Sequence, residues 1–164
     1  VAPLAPIKLY RGDSLDELVE SFAGFADLGG GGSPIAQGQY GGDPVTIADN
    51  GSALLPWTNL VSGIDLLDRT NVQNPTVLTP GAYALTADIN GDALTAGGYV
   101  QVGFADGPSI ILASVTSAHP ELGVTVNAVW VAPAGDSFEL TVLSKDGVAS
   151  RVFNLNSATL VKLS

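Results

Sequence analysis

The sequence predicts an all-β sandwich or barrel, and three observations carry that expectation. From residue 43 onward, short runs of Val, Ile, Thr, Leu and Tyr alternate with a period of two, as half-buried strands do. Gly, Pro and Asn break these runs roughly every ten residues. No helical spacing of apolar residues interrupts them, so two packed layers of short strands is the economical arrangement.

Taken in order, the candidate strands are 45–48, 81–89, 98–104, 110–116, 124–131, 137–143 and 150–155, with a closing strand at 159–162. Turns fall between them at Asn90-Gly91, Ala105-Asp106-Gly107-Pro108, Ala134-Gly135-Asp136 and Asp146-Gly147. Alternation assigns inward faces: Tyr83, Leu85, Ala87 and Ile89 on one strand, Val124, Val126, Ala128 and Trp130 on another, and Phe138, Leu140 and Val142 on a third. The opposite faces hold Ala84, Thr86, Asn127, Val129, Thr141 and Leu143, where a solvated sheet would carry Lys and Glu. Trp57, within LLPWTNL, is expected to be buried beside an entry loop.

Composition points the same way. Charged residues make up 13% of the 164-residue chain, about half the usual ~25%. A domain this poor in charge struggles to cover its own surface, so sister subunits or a larger assembly are expected to cover part of it. The net charge of -10 argues against nucleic acid and against anionic membranes, both of which need clustered cations. Cysteine and methionine are absent and there is one His, which excludes disulfides and thiolate zinc and argues strongly against haem or a histidine-metal centre. No cofactor and no metal is expected. The opening residues lack the basic-then-apolar order of a signal peptide, and no apolar run approaches the ~20 residues of a membrane span.

Upstream of the strands the chain changes character. Residues 1–28 form an attachment arm: VAPLAPIKLY is extended, and DSLDELVESFAGFADL reads as an amphipathic helix over about 14–27. Ser14 and Glu17 make a capping box, and Leu15, Leu18, Val19, Phe22 and Ala26 form one apolar stripe. A lone helix of this length is marginal in water, so the stripe is expected to dock on a partner. Residues 29–42 are a Gly-rich linker, and the β domain is expected over 43–164. The GGGGS run within that linker also matches a common engineered joint.

Chemistry-bearing motifs are few. Arg11-Gly12-Asp13 spells an adhesion tripeptide but sits where a turn and a helix cap are needed. Asp88, Asn90 and Asp92 alternate as in a calcium loop, without the downstream glutamate of an EF-hand. His119 in SAHPELG has no nucleophile elbow to serve. Asp65, Asp68, Asp106, Glu121, Asp136, Glu139 and Asp146 fall mainly in turns and at strand ends, with too few aromatic residues around them for a sugar-cleaving cleft. The glycine run lacks a phosphate-loop lysine. No catalytic residue is expected.

Several pieces together resemble a known family. They are Leu55-Pro56-Trp57, the step Asn74 to Thr76, Gly81 with Tyr83, Gly97 to Tyr99, Pro133 to Phe138, and the ending NSATLVKLS. Across about 43–164 the chain resembles the complement-C1q/tumour-necrosis-factor-like jelly-roll domains, in the versions carried by virion proteins of tailed phages of actinobacteria. The resemblance implies a jelly-roll β-sandwich and a homotrimer, with Tyr83, Tyr99, Val129, Trp130 and Phe138 as core and trimer-packing residues. It implies binding in place of catalysis. The G-x-y repeat of collagen-like members does not occur in this sequence, so a fibrous stalk is not expected.

The leading expectation is therefore a non-enzymatic phage virion structural protein. It would be a trimeric capsid decoration protein on the particle surface, bound to the major capsid protein or another virion protein through Leu15, Leu18, Val19 and Phe22. The alternative is a trimeric receptor-binding knob of a tail fibre or tail tip, contacting a host glycan or surface protein. A secreted hydrolase or lectin-like module is the third reading.

Overall fold

A computed structural model describes residues 36–107, 110–147 and 150–163. The strands are β1 (Ala36–Gly41), β2 (Val45–Ile47), β3 (Ser52–Leu54), β4 (Asn59–Gly63), β5 (Leu67–Asp68), β6 (Thr76–Val77), β7 (Gly81–Gly91), β8 (Tyr99–Asp106), β9 (Ile110–Ser117), β10 (Val124–Ala132), β11 (Glu139–Lys145) and β12 (Arg151–Lys162). A short 3-10 turn, Pro120–Leu122, precedes β10. Among the described residues there is no α-helix. The helix expected over 14–27, with Leu15, Leu18, Val19 and Phe22, lies outside the described residues.

The strands form two antiparallel layers. The large sheet runs β10-β7-β12-β1-β4, with β2 beside β12, and the small sheet runs β3-β11-β8-β9. The fold is an antiparallel β-sandwich. Alternation gives β10 a strict in-out pattern, because one side meets the core and the other does not. The inward assignments made for β7, β10 and β11 all hold: Tyr83, Leu85, Ala87, Ile89, Val124, Val126, Ala128, Trp130, Phe138, Leu140 and Val142 are buried.

Between the sheets runs an aromatic chain. Tyr40 packs on Trp57 at 5.3 Å between ring centroids, Trp57 on Phe138 at 5.1 Å, Phe138 on Trp130 at 5.4 Å, and Trp130 on Tyr83 at 6.1 Å. Such tilted and edge-on pairs add to the gain from burial alone. Tyr40 and Tyr83 each keep a polar tip satisfied. The Tyr40 hydroxyl accepts from the Leu66 backbone N–H at 3.0 Å, and the Tyr83 hydroxyl donates to the Thr79 carbonyl. Burial pushes the Tyr40 phenol up to about 12, against the Leu66 hydrogen bond, which lowers it.

Four expectations are corrected. The Gly-rich linker was to run to residue 42, yet Ala36–Gly41 is a strand paired with both β12 and β4, so the sheet begins before residue 43. Gly42, just past this strand, is structural: a Cβ there would stand 1.9 Å from the Pro56 carbonyl oxygen. Asn90-Gly91 is not a turn. Both residues stay inside β7, with Asn90 opposite Asn154, because the long β7–β12 ladder outweighs the local turn preference. The strands expected at 150–155 and 159–162 are one strand, bent by a bulge between Leu155 and Ser157. Finally, 49–80 carries four short strands that alternation does not reveal.

Candidate functional site: an uncharged sheet face

The ladders of the large sheet line up its outward residues in rows. Val129, Ala84, Val161 and Gln37 form one row; Asn127, Thr86, Thr159, Gln39 and Ser62 form the next; Thr125, Asp88 and Ser157 form a third; Val131 and Ala82 extend the first end. Asp88 is the single ionisable side chain in these rows. Val129 is 70% exposed and Val131 is 76% exposed. Continuing past the row ends, Val61 and Ile64 are exposed as well.

Four side-chain pairs on this face bond to one another. Thr86 Oγ1 donates to Asn127 Oδ1 at 2.7 Å, Thr125 Oγ1 to Asp88 Oδ1 at 2.6 Å, Ser157 Oγ to Asp88 Oδ2 at 3.1 Å, and Ser62 Oγ to Gln39 Oε1 at 2.9 Å. A polar group already bonded within its own sheet can be dried at low cost, whereas an unpaired one cannot. The face is thus suited to being covered by another protein surface.

The outward side of the small sheet has another shape. Gly103 leaves a shallow hollow lined by Ser52, Gln101, Ala105, Ile111, Ser114, Thr141 and Leu143. Ile111 is 71% exposed at its rim. Glu139 and Lys145 stand at opposite ends of β11, and the Lys145 ammonium lies over the Tyr99 ring at 5.9 Å from its centroid.

The residues expected to pack core and trimer separate accordingly. Tyr83, Trp130 and Phe138 lie inside the protomer. Val129 lies on the outward face of the large sheet. Tyr99 is not a core residue: it is half-buried on the outward side of the small sheet, because β8 turns the other side of each residue pair, starting at Val100, toward the core. Val131, next to Val129 on the same face, was missed, although its i+2 spacing from Val129 signals it.

Arg11-Gly12-Asp13 lies outside the described residues, whereas Asp88, Asp92, His119, Asp65 and Asp106 have structural partners. Asp88 is bonded to Thr125 and Ser157, and Asp92 accepts from the Val152 N–H at 2.8 Å, so the alternating acids do not converge. His119 Nδ1 lies 3.1 Å from Glu121 Oε1 on an exposed loop, while the neighbouring Ser117 hydroxyl accepts from the His119 backbone N–H. Asp65 pairs with Arg69 at 2.9 Å, and Asp106 accepts from Trp130 Nε1 at 3.2 Å. Among the described residues no group of three or more His, Cys, Asp or Glu could hold a metal, and no helix is long and apolar enough to cross a membrane.

Sequence reading missed one buried polar cluster, which ties loops at one end of the sandwich. The Asp146 carboxylate accepts from the Thr95 hydroxyl at 2.7 Å and from Arg151 Nε at 2.6 Å. Asp49 Oδ1 in turn accepts from the backbone N–H groups of Asp146 and Gly147, at 3.3 and 2.8 Å. The Thr95 hydroxyl first, then its N–H and Arg151, hold the Asp146 carboxyl below its usual range despite burial. The partners come from three separate loops, which no local spacing could announce.

No protein family matches the chain by sequence, and no curated protein matches it. Solved structures share its fold. One is described as PRD1 vertex protein P5, at 18% identity and a TM-score of 0.55, covering 81% of this chain and 100% of that one. Another is murine APRIL at pH 5.0, at 14% identity and a TM-score of 0.50, covering 78% of this chain and 98% of that one. At these identities the likeness is one of fold, a jelly-roll β-sandwich.

Proposed function

We propose that this protein is a non-enzymatic, homotrimeric structural protein of a phage particle, and that it decorates the outside of the head. The observation that carries the reading is the outward face of the large sheet, which exposes Val129 and Val131 and holds one ionisable side chain among internally bonded polar groups. Three copies packed through this face would bury what a lone copy leaves wet. The likeness to a vertex protein of PRD1 supports a place in a virion. Leu15, Leu18, Val19 and Phe22 are the proposed contact with a capsid protein, and three linked arms would strengthen attachment by multivalency. Ala36 pairs with Lys162, so the chain enters the sandwich beside its last strand, and the Asp146 end is left at the far side. Ten net negative charges per copy would keep decorated particles apart.

The hollow around Gly103 favours a second reading, a receptor-binding knob on a tail fibre or tail tip. Electron microscopy of the native particle separates the two. Decoration predicts this density in many copies on the head, and heads that become fragile to heat when the protein is deleted. A knob predicts few copies on the tail and an altered host range. Leu18→Asp with Phe22→Asp is expected to abolish attachment while the protein remains trimeric; attachment that survives this pair would overturn the role of the arm.

A further inference from the structure

The chain contains two Asn-Gly steps, Asn50-Gly51 and Asn90-Gly91, and the fold treats them differently. Asn90 is locked in β7 opposite Asn154, and Gly91 lies opposite Phe153. Asn50 sits in an exposed turn with φ of 54°, a left-handed backbone that few residues with a side chain adopt. The Gly51 N–H is held by one turn bond, to the Ala48 carbonyl at 2.9 Å. Freeing the Gly51 N–H breaks a single backbone hydrogen bond, and the Asn50 side-chain amide is held only by an exposed bond to Asp49 Oδ2 at 2.7 Å, whereas freeing Asn90 requires local opening of a central ladder.

We propose that Asn50 is a site of spontaneous modification that unfastens the loops at this end of the sandwich. The Gly51 amide nitrogen attacks Cγ of Asn50 and a new C–N bond closes a five-membered succinimide. The side-chain nitrogen leaves as ammonia and takes the displaced amide proton with it. Water then opens the ring at either carbonyl, giving aspartate or isoaspartate, with no change of oxidation state. Either product adds a negative charge beside Asp49, and isoaspartate also inserts a methylene into the main chain. Asp49 Oδ1 holds the N–H groups of Asp146 and Gly147, so displacing it releases the loop that carries the buried Asp146–Arg151 pair. The effect needs no partner and is independent of the assembly reading above.

The test incubates the full chain at mildly alkaline pH, with a denatured sample beside it, and maps conversion by peptide mass and by methyl transfer from an isoaspartate-specific methyltransferase. In the folded chain Asn50 is expected to convert at least about tenfold faster than Asn90, while the denatured chain converts both alike. Hydrogen exchange at the Asp146 and Gly147 amides is expected to speed up in the aged folded sample and to stay slow in an aged Asn50→Gly variant. Equal rates at the two sites in the folded chain, an Asn50 that persists while Asn90 converts, or unchanged exchange after Asn50 has converted would each overturn the proposal.

Discussion

The two outward faces of the sandwich are built from the same residue types and differ in what they can do. The large-sheet face is a set of continuous rows in which Thr, Asn, Ser and Gln bond to one another and two valines stand clear of the surface. The small-sheet face is hollowed at Gly103, ends in Glu139 and Lys145, and has a weaker side-chain bond at its middle, Gln101 to Ser114 at 3.4 Å. Exposure alone does not separate them, since Ile111 on the small sheet is 71% exposed and Val129 on the large sheet 70%. What separates them is the hollow, the charged ends of β11 and the continuity of the rows, and on that ground we propose the large sheet as the face to be covered.

The comparison breaks entirely if the layers lose their common core. Trp57 is fully buried and touches Tyr40, Phe104 and Phe138. Trp57→Ala is expected to cost about 3–5 kcal/mol. That is a large part of the ~5–15 kcal/mol of a typical domain, and denaturant unfolding would read it. Next in size, Val129→Asp with Val131→Asp should leave the sheet content seen by circular dichroism intact. It should weaken self-association by roughly a hundredfold to a thousandfold, since each side chain forfeits up to ~1.5–3 kcal/mol of burial.

Acid sharpens the comparison from the end where β11 of the small sheet passes to β12 of the large one. The Asp146 carboxyl is held below its usual value in the folded protein. Its stabilisation is therefore fully present above the unfolded value and is lost as pH falls through the lower, folded one. The melting temperature is expected to fall over that acid range, and Asp146→Asn, measured from neutral pH down, should lower the neutral plateau and flatten the fall. The smallest effect is a matched control: Ile111→Asp should change stability by no more than ~0.5 kcal/mol and leave the sedimentation coefficient unaltered. An Ile111→Asp variant that dissociates as Val129→Asp does would erase the distinction between the faces.

Much of this was legible where a strand has one dry side and one open side. The alternations in β7, β10 and β11 mark the core, and the neutral residues opposite, Ala84, Thr86, Asn127 and Val129, mark the face. β1 was hidden by its glycines, although Gln37 and Gln39 alternate outward. The inward place at Gly38 admits only glycine, because a Cβ there would lie 2.4 Å from the Ile64 carbonyl oxygen. β4 was illegible for a different reason: all five of its residues are exposed, so no period of burial marks it. For Tyr99, expected to pack core or trimer, the strand pairing shows only that it faces outward from the small sheet.

The central claim is that the large-sheet face is covered by sister copies. Sedimentation of the full chain over a wide dilution series, wild type beside Val129→Asp/Val131→Asp, tests it most directly. The account predicts a trimer that persists on dilution in the wild type and a folded monomer in the variant. A soluble wild-type monomer at every concentration, or a variant that stays trimeric, would contradict it.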